Sequence, residues 1–399
     1  MRRGVLVISY DGVLEPLGQS QVLAYLEQLS QFRPVHLVSF EKASEMPGAA
    51  ELQALRTRLA SVGVDWRPLR YHKSPSFFAT TWDIIQGTTV GWWLTVRYRL
   101  AIVHARSYVP SVMALIIKQL TGSRYVFDMR GFWADERIDG DLWAKGSFMY
   151  SIAKWFERRF LLSADHVISL THSSVCIMKD FEYLLGRMPP FTVIPTCTDL
   201  GRFKPSSNRA RGGRFVLGYV GTVGTWYMFN EVVTTFSILL SMKPDSMLLI
   251  VNRGEHSSIL ESLLAAGVPR SAFEITTTSH FEMPAMMARM HAGIFFIKPV
   301  FSKHASAPTK LGEFLGCGVP CLGNTGVGDM AEVLETNRVG VAITAFDEAS
   351  LYQGVKDLLS LCDEPEVSDR CVVAALRHFS LDVGVARYKH VYDSLDFEP

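Results

Sequence analysis

The chain has 399 residues, of which 48% are hydrophobic and 20% charged, so a disordered or collagen-like polymer is excluded. At roughly 150 residues per domain it forms two or three cores. The 40 Lys and Arg against 39 Asp and Glu leave a net charge of +1, which gives no global argument for a nucleic-acid partner. The six cysteines lack CxxC spacing and read as reduced, buried thiols of a cytoplasmic protein. The opening MRRGVLVISYDG reads as a first strand, not a signal peptide, and no run of ~18 apolar residues is free of charge.

In chain order, strands are expected at Val5–Ser9, Val35–Phe40, Ile102–His104, Tyr125–Met129, His166–Leu170 and Thr192–Pro195. A helix with the apolar face Val22, Leu26 and Leu29 follows the first, and a long helix covers Ser147–Leu162. The polar tract KPSSNRARGG then reads as a linker. A second series follows, with strands at Phe215–Val220, Met247–Val251, Gly293–Lys298, Pro320–Gly323 and Val339–Thr344, and a closing helix near Leu381–Leu395. The alternation predicts an α/β protein with two Rossmann-like, doubly wound parallel sheets and ligand loops at the strands' carboxyl ends.

Three segments carry the chemistry. In DGVLEPLGQSQ, Gly18 stands before a helix start, so that it and Gln19 either admit an anionic ligand to backbone amides or merely form a turn. In GYVGTVGTWYM, Gly221 and Thr222 follow a strand and precede Trp226, which suits nucleotide approach or tight strand–helix packing. In SKHASAPTKLGEFLGCGVPCLGN, Pro308 opens a helix whose free amides near Thr309 and Lys310, with the lysine charge, form an anion site flanked by Ser306. Glu313, one turn on, either accepts ribose hydroxyls or pairs with Lys310.

These segments, in this order, resemble the GT-B-fold glycosyltransferases of the retaining family 4 type, over essentially the whole length. Glu313 and FLGCGVPCLGN match the end of the family's E-x7-E helix and its EAMACGLPVI continuation. VIPTCTDLGRFKP resembles its interdomain segment, and SADHVISLTHSS its AD-x-I segment. VHARSYVPS and FDMRGFWADE resemble a branch found in polysaccharide clusters, and FSLDVGVARYKHVYDSL the helix that crosses back onto the first domain. The resemblance implies an N-terminal acceptor-side domain (1–203), a nucleotide-sugar-binding domain (204–378) and a crossing helix (379–399).

Two departures stand out. Ala305 replaces the first glutamate of E-x7-E, and the Arg/Lys pair that clamps the donor diphosphate is absent after Gly221. Arg253, Lys298, Lys303 and above all Lys310 are the candidates to offset the phosphate charge. In the first domain, Arg130 occupies the position of the family's sugar-facing histidine, and His104, Arg106 and Asp128 also follow strands. These four are the candidate catalytic residues, with a buried Asp128–Arg130 pair as the structural alternative.

The resemblance implies a transferase moving a sugar from a nucleotide-sugar donor to a lipid-linked or polysaccharide acceptor, with retention. Neither a metal nor a cofactor is expected, and Asp139-Gly140-Asp141 is read as a loop rather than a metal triplet. Trp92, Trp93, Arg97, Tyr98 and Arg99 admit a peripheral contact with the inner membrane face, or a helix that turns its tryptophans inward. The alternatives are a nucleotide-sugar 2-epimerase of the same fold and a degenerate nucleotide-binding subunit. Oligomeric state is left open.

Overall fold

The computed structural model describes residues 4–206 and 213–396. The chain divides into two compact units, one built from residues up to Pro195 together with Leu381 onward, the other from Thr196–Ser380. The boundary thus falls between Pro195 and Thr196, ahead of the expected 203/204. Thr196 and Thr198 already belong to the second unit: the Thr196 hydroxyl donates to the Ala307 carbonyl and the Thr198 amide to that of Phe379. Phe203 lies in the same core. Most of the expected linker, 207–212, lies outside the described residues.

The first unit holds strands β1 (Val5–Ser9), β2 (Val35–Glu41), β3 (Val64–Arg70), β4 (Ile102–Arg106), β5 (Arg124–Asp128), β6 (His166–Ser169) and β7 (Phe191–Val193). They form one parallel sheet in the order β3-β2-β1-β4-β5-β6-β7. The inner strands β1 and β2 are buried along their whole length, as expected of strands covered on both faces. The order reverses between β1 and β4, and ligands of such sheets collect beyond the strand ends at that reversal.

The helices used below are α1 (Ala24–Leu29), α2 (Ser76–Tyr98), α3 (Tyr108–Thr121), α4 (Phe148–Ser163), α5 (Thr309–Gly316) and α6 (Leu381–Asp396). Helices α2, α3 and α4 pack side by side, and α6 packs on α1. Helix α6 is fastened to its unit by Arg33, whose buried guanidinium donates to Asp393 at 2.9 Å and Asp396 at 3.0 Å. Arg387 adds a bond to the Val193 carbonyl.

The second unit holds β8 (Val216–Val220), β9 (Met247–Val251), β10 (Phe273–Thr276), β11 (Ala292–Ile294), β12 (Cys321–Asn324) and β13 (Gly340–Ile343). They make a parallel sheet in the order β10-β9-β8-β11-β12-β13, which reverses between β8 and β11. The two Rossmann-like sheets match the expectation. Strands β3 and β10 were not anticipated, and both are sheet edges.

Candidate functional site

In the second unit the residues gather where β8 ends. Gly221 has φ of 116°, a left-handed conformation that glycine adopts without strain. A Cβ there would lie 2.8 Å from the Lys310 Nζ, so this glycine also makes room for the lysine. The following loop is pinned by two residues that sequence reasoning missed. Asn252 donates to the Gly221 carbonyl at 2.9 Å and to Glu255, and Glu255 accepts the Val223 amide at 3.1 Å. Farther along the loop, the Lys298 amide bonds the Trp226 carbonyl and the Met228 amide that of Phe296. This fixes the Trp226–Tyr227 pair beside the segment that follows β11.

Helix α5 brings Lys310 to the same place. Its Nζ is buried, makes no hydrogen bond, and sits 3.8 Å from the centre of the Tyr227 ring, with Tyr219 and Phe295 at 5.5 and 5.4 Å. Burial pushes the amine down to about 7, and the charge of Glu313 opposes this only partly. Glu313 does not pair with Lys310. It accepts from the His280 imidazole at 3.1 Å, and His280 is bonded by Arg202. Lys303 is also buried, its Nζ lying 3.7 Å from the Trp226 ring centre. Ser306, Pro308 and Thr309 are half-buried and lead into α5, whereas Thr222, Arg253 and Lys298 are exposed. Ala305 is buried in the turn before α5.

In the first unit β4 and β5 carry the second cluster. Arg106 is in register with Ser9 on one side and Asp128 on the other, and His104 lies two residues before Arg106 on the same sheet face. The buried Asp128 carboxylate has the His104 Nε2 at 3.5 Å, the Arg106 guanidinium at 3.6 Å and that of Arg130 at 4.0 Å. Burial alone would raise the Asp128 carboxyl, but Arg130, then His104 and Arg106, outweigh it and hold it at about 2. Arg130 has φ of 58°, a strained conformation for a non-glycine residue.

Helix α6 completes this cluster. The Tyr388 hydroxyl donates to Asp128 Oδ2 at 2.9 Å, and the Tyr392 hydroxyl bonds His104 Nδ1 at 2.6 Å. Both tyrosines are buried, and neither was singled out from sequence because they stand more than 250 positions from their partners. The cluster keeps open valences: Asp128 Oδ1, His104 Nε2 and Arg106 Nε have no hydrogen-bond partner.

The first glycine loop corrects an expectation. Gly18 does not precede a helix; it lies inside one, and a Cβ would fall 2.0 Å from the Gly12 carbonyl oxygen. It is a close-packing glycine. The amides of Val13 and Leu14, which an anion would need, donate instead to the Glu41 carboxylate at 3.0 and 3.1 Å. Gln19 is exposed and bonds the Leu14 carbonyl. Among the described residues no three His, Cys, Asp or Glu side chains gather as a metal site.

Two parallel sheets, each reversing beside its first strand, and a C-terminal helix returning to the first unit define the fold. Residues 20–195 match the family described as a glycosyl transferase 4-like domain. The chain has a GT-B fold. Similar solved structures include sucrose-phosphate synthase from Thermosynechococcus elongatus, with 12% identity, a TM-score of 0.74 and 99% of each chain covered. A glycosyltransferase from Rickettsia africae shows 12% identity and a TM-score of 0.71, with both chains fully covered. Anabaena HepE in complex with UDP-glucose shows 13% identity and a TM-score of 0.68, with 98% of this chain and 100% of that one covered. No curated protein matches the chain.

Proposed function

We propose that this GT-B protein transfers a sugar from a nucleotide-sugar donor to a lipid-linked or polysaccharide acceptor, with retention and without a metal ion. The observation that carries the reading is Lys310. A buried amine with no hydrogen-bond partner, beside the first turn of a helix, is a preformed seat for an anion. A donor diphosphate would supply the missing counter-charge, and the amides at Thr309 and Lys310 would add the helix dipole. Anabaena HepE, whose complexes hold UDP and UDP-glucose, supports the same donor class.

As the glycosidic bond breaks, negative charge builds on the leaving phosphate, and stabilising that charge is the largest task of such an enzyme. Lys310 takes this role, with Lys303 and Trp226 beside it. The Asp128 cluster of the first unit serves the acceptor side. There Arg106 and Arg130 outnumber the one carboxylate, and they hold an acceptor anion or orient its hydroxyl.

The test is turnover of UDP-glucose and a panel of other nucleotide sugars, with and without polyprenyl-linked and oligosaccharide acceptors, in chelator. Acceptor-dependent release of nucleotide supports the reading. Conversion of the donor sugar without acceptor would support an epimerase, and nucleotide binding without any turnover a degenerate subunit.

A further inference from the structure

The outer face of the first unit carries a feature that the transfer reading leaves unused. Helix α2 is apolar on both sides. Its inner side packs against α3 and the sheet, with Gly87 and Gly91 pressed on Met113 and Ile117. Its outer side bears Phe78, Ile85 and Trp92, seven residues apart and hence on one stripe, together with Trp82 and Val96. All five are exposed, Phe78 by 72% and Trp82 by 55%. The tryptophans therefore do not turn inward, which settles the alternative left open by the sequence.

The neighbouring helices extend the surface. Helix α3 exposes Ile116 and Leu120, and α4 exposes Trp155 and Leu162. Adjacent helices with exposed aromatic and aliphatic side chains are unusual on a surface facing only water.

The charges on this face have one sign. The only acids in α2, α3 and α4 are Asp83 and Glu157, and both are fully buried. Asp83 accepts from Tyr10 and His72, and Glu157 is held by Tyr108 and Lys154. The exposed charges are Arg97, Arg158 and Arg159, with Arg159 lying over the Trp155 ring at 4.8 Å. Indole and guanidinium side chains together suit the boundary between acyl chains and headgroups. Among the described residues no helix is long and apolar enough to cross a bilayer.

We infer that the face formed by α2, α3 and α4 docks this protein on the surface of an anionic phospholipid bilayer. The charge pattern decides against a second copy of the chain. A two-fold contact through this face would set arginines against arginines with no acid between them. Anionic headgroups neutralise them, and the aromatic stripe enters the interface.

The test is flotation of the intact protein with vesicles of phosphatidylcholine alone and of phosphatidylcholine mixed with phosphatidylglycerol. The assay holds neither nucleotide nor acceptor, so its outcome is separate from that of the transfer reading. Binding should require phosphatidylglycerol and weaken with salt. The W82E/W92E variant should bind ~10-fold or more weakly while keeping its melting temperature. The R158E/R159E variant should lose the preference for phosphatidylglycerol. Failure to bind either vesicle, binding indifferent to both variants, or a dimer in light scattering that W82E/W92E abolishes in place of vesicle binding, would each overturn the inference.

Discussion

The two units each bury charge near their sheet reversal, but they compensate it differently. In the first unit Asp128 meets three cationic or imidazole side chains, and α6 adds Tyr388 and Tyr392 as a lock. In the second unit Lys310 meets aromatic rings and no hydrogen-bond acceptor. A buried charge without a partner costs several kcal/mol, so Lys310 responds by losing proton affinity. The first cluster is a self-supporting scaffold with spare valences, whereas the second is completed only by an added anion.

The comparison breaks most sharply at Asp128. Asp128→Ala leaves Arg106 and Arg130 buried without their counter-charge and should destabilise the first unit by about 3–5 kcal/mol. Calorimetry should show its unfolding transition lowered by roughly ten degrees. Tyr388→Phe removes one hydrogen bond to a charged group and should cost about 1.5–3 kcal/mol in urea unfolding. It tests whether α6 is fastened by this bond or by packing alone.

Arg130→Ala probes the same cluster by pH. The Asp128 carboxyl titrates in the folded state at about 2, below the ordinary aspartate value of 3.8. Its contribution to stability is therefore full above 3.8 and is lost as pH falls toward 2. Without Arg130 the carboxyl rises, so acid unfolding followed by circular dichroism should begin at a higher pH.

The smallest effect sharpens the contrast from the other side. Because the Lys310 amine is pushed down to about 7, its burial cost is full below that pH and is relieved as pH rises toward the ordinary lysine range. Lys310→Met should stabilise the second unit by ~1–2 kcal/mol in mildly acid solution, with a gain that shrinks in alkali. Thermal melts across that range read it directly. A substitution that destabilises the unit equally at every pH would show that Lys310 is structural.

Much of this was legible in the sequence. Continuous apolar runs such as VLVIS and MLLIV mark the inner strands, which must be apolar on both faces. The strands at Val64–Arg70 and Phe273–Thr276 escaped because an edge strand needs only one covered side. The first carries Asp65, Arg67 and Pro68, and the second is half-exposed for three of its four residues. Lys310 was legible from its position after Pro308, and Asp128 and Arg130 from the end of a strand. The Tyr388 and Tyr392 contacts, the Asn252–Glu255 latch and the Glu41 carboxylate on the first loop were not, since each depends on residues brought together by the fold rather than by spacing. The reading of Gly18 went wrong for the same reason: local pattern does not show that Glu41 already occupies the amides of that loop.

The central claim is that Lys310 awaits the phosphates of a nucleotide. The direct measurement is calorimetric titration of UDP and UDP-glucose into the wild-type and Lys310→Met proteins, in buffers of differing ionisation enthalpy, on both sides of neutral pH. An anion at Lys310 stabilises the protonated amine. Wild-type binding should therefore take up about one proton in mildly alkaline solution, and affinity should fall as pH rises above neutral. The variant should take up none and bind roughly 10- to 100-fold more weakly at acid pH. Binding of the same strength in both proteins, with no proton uptake in either, would contradict the account.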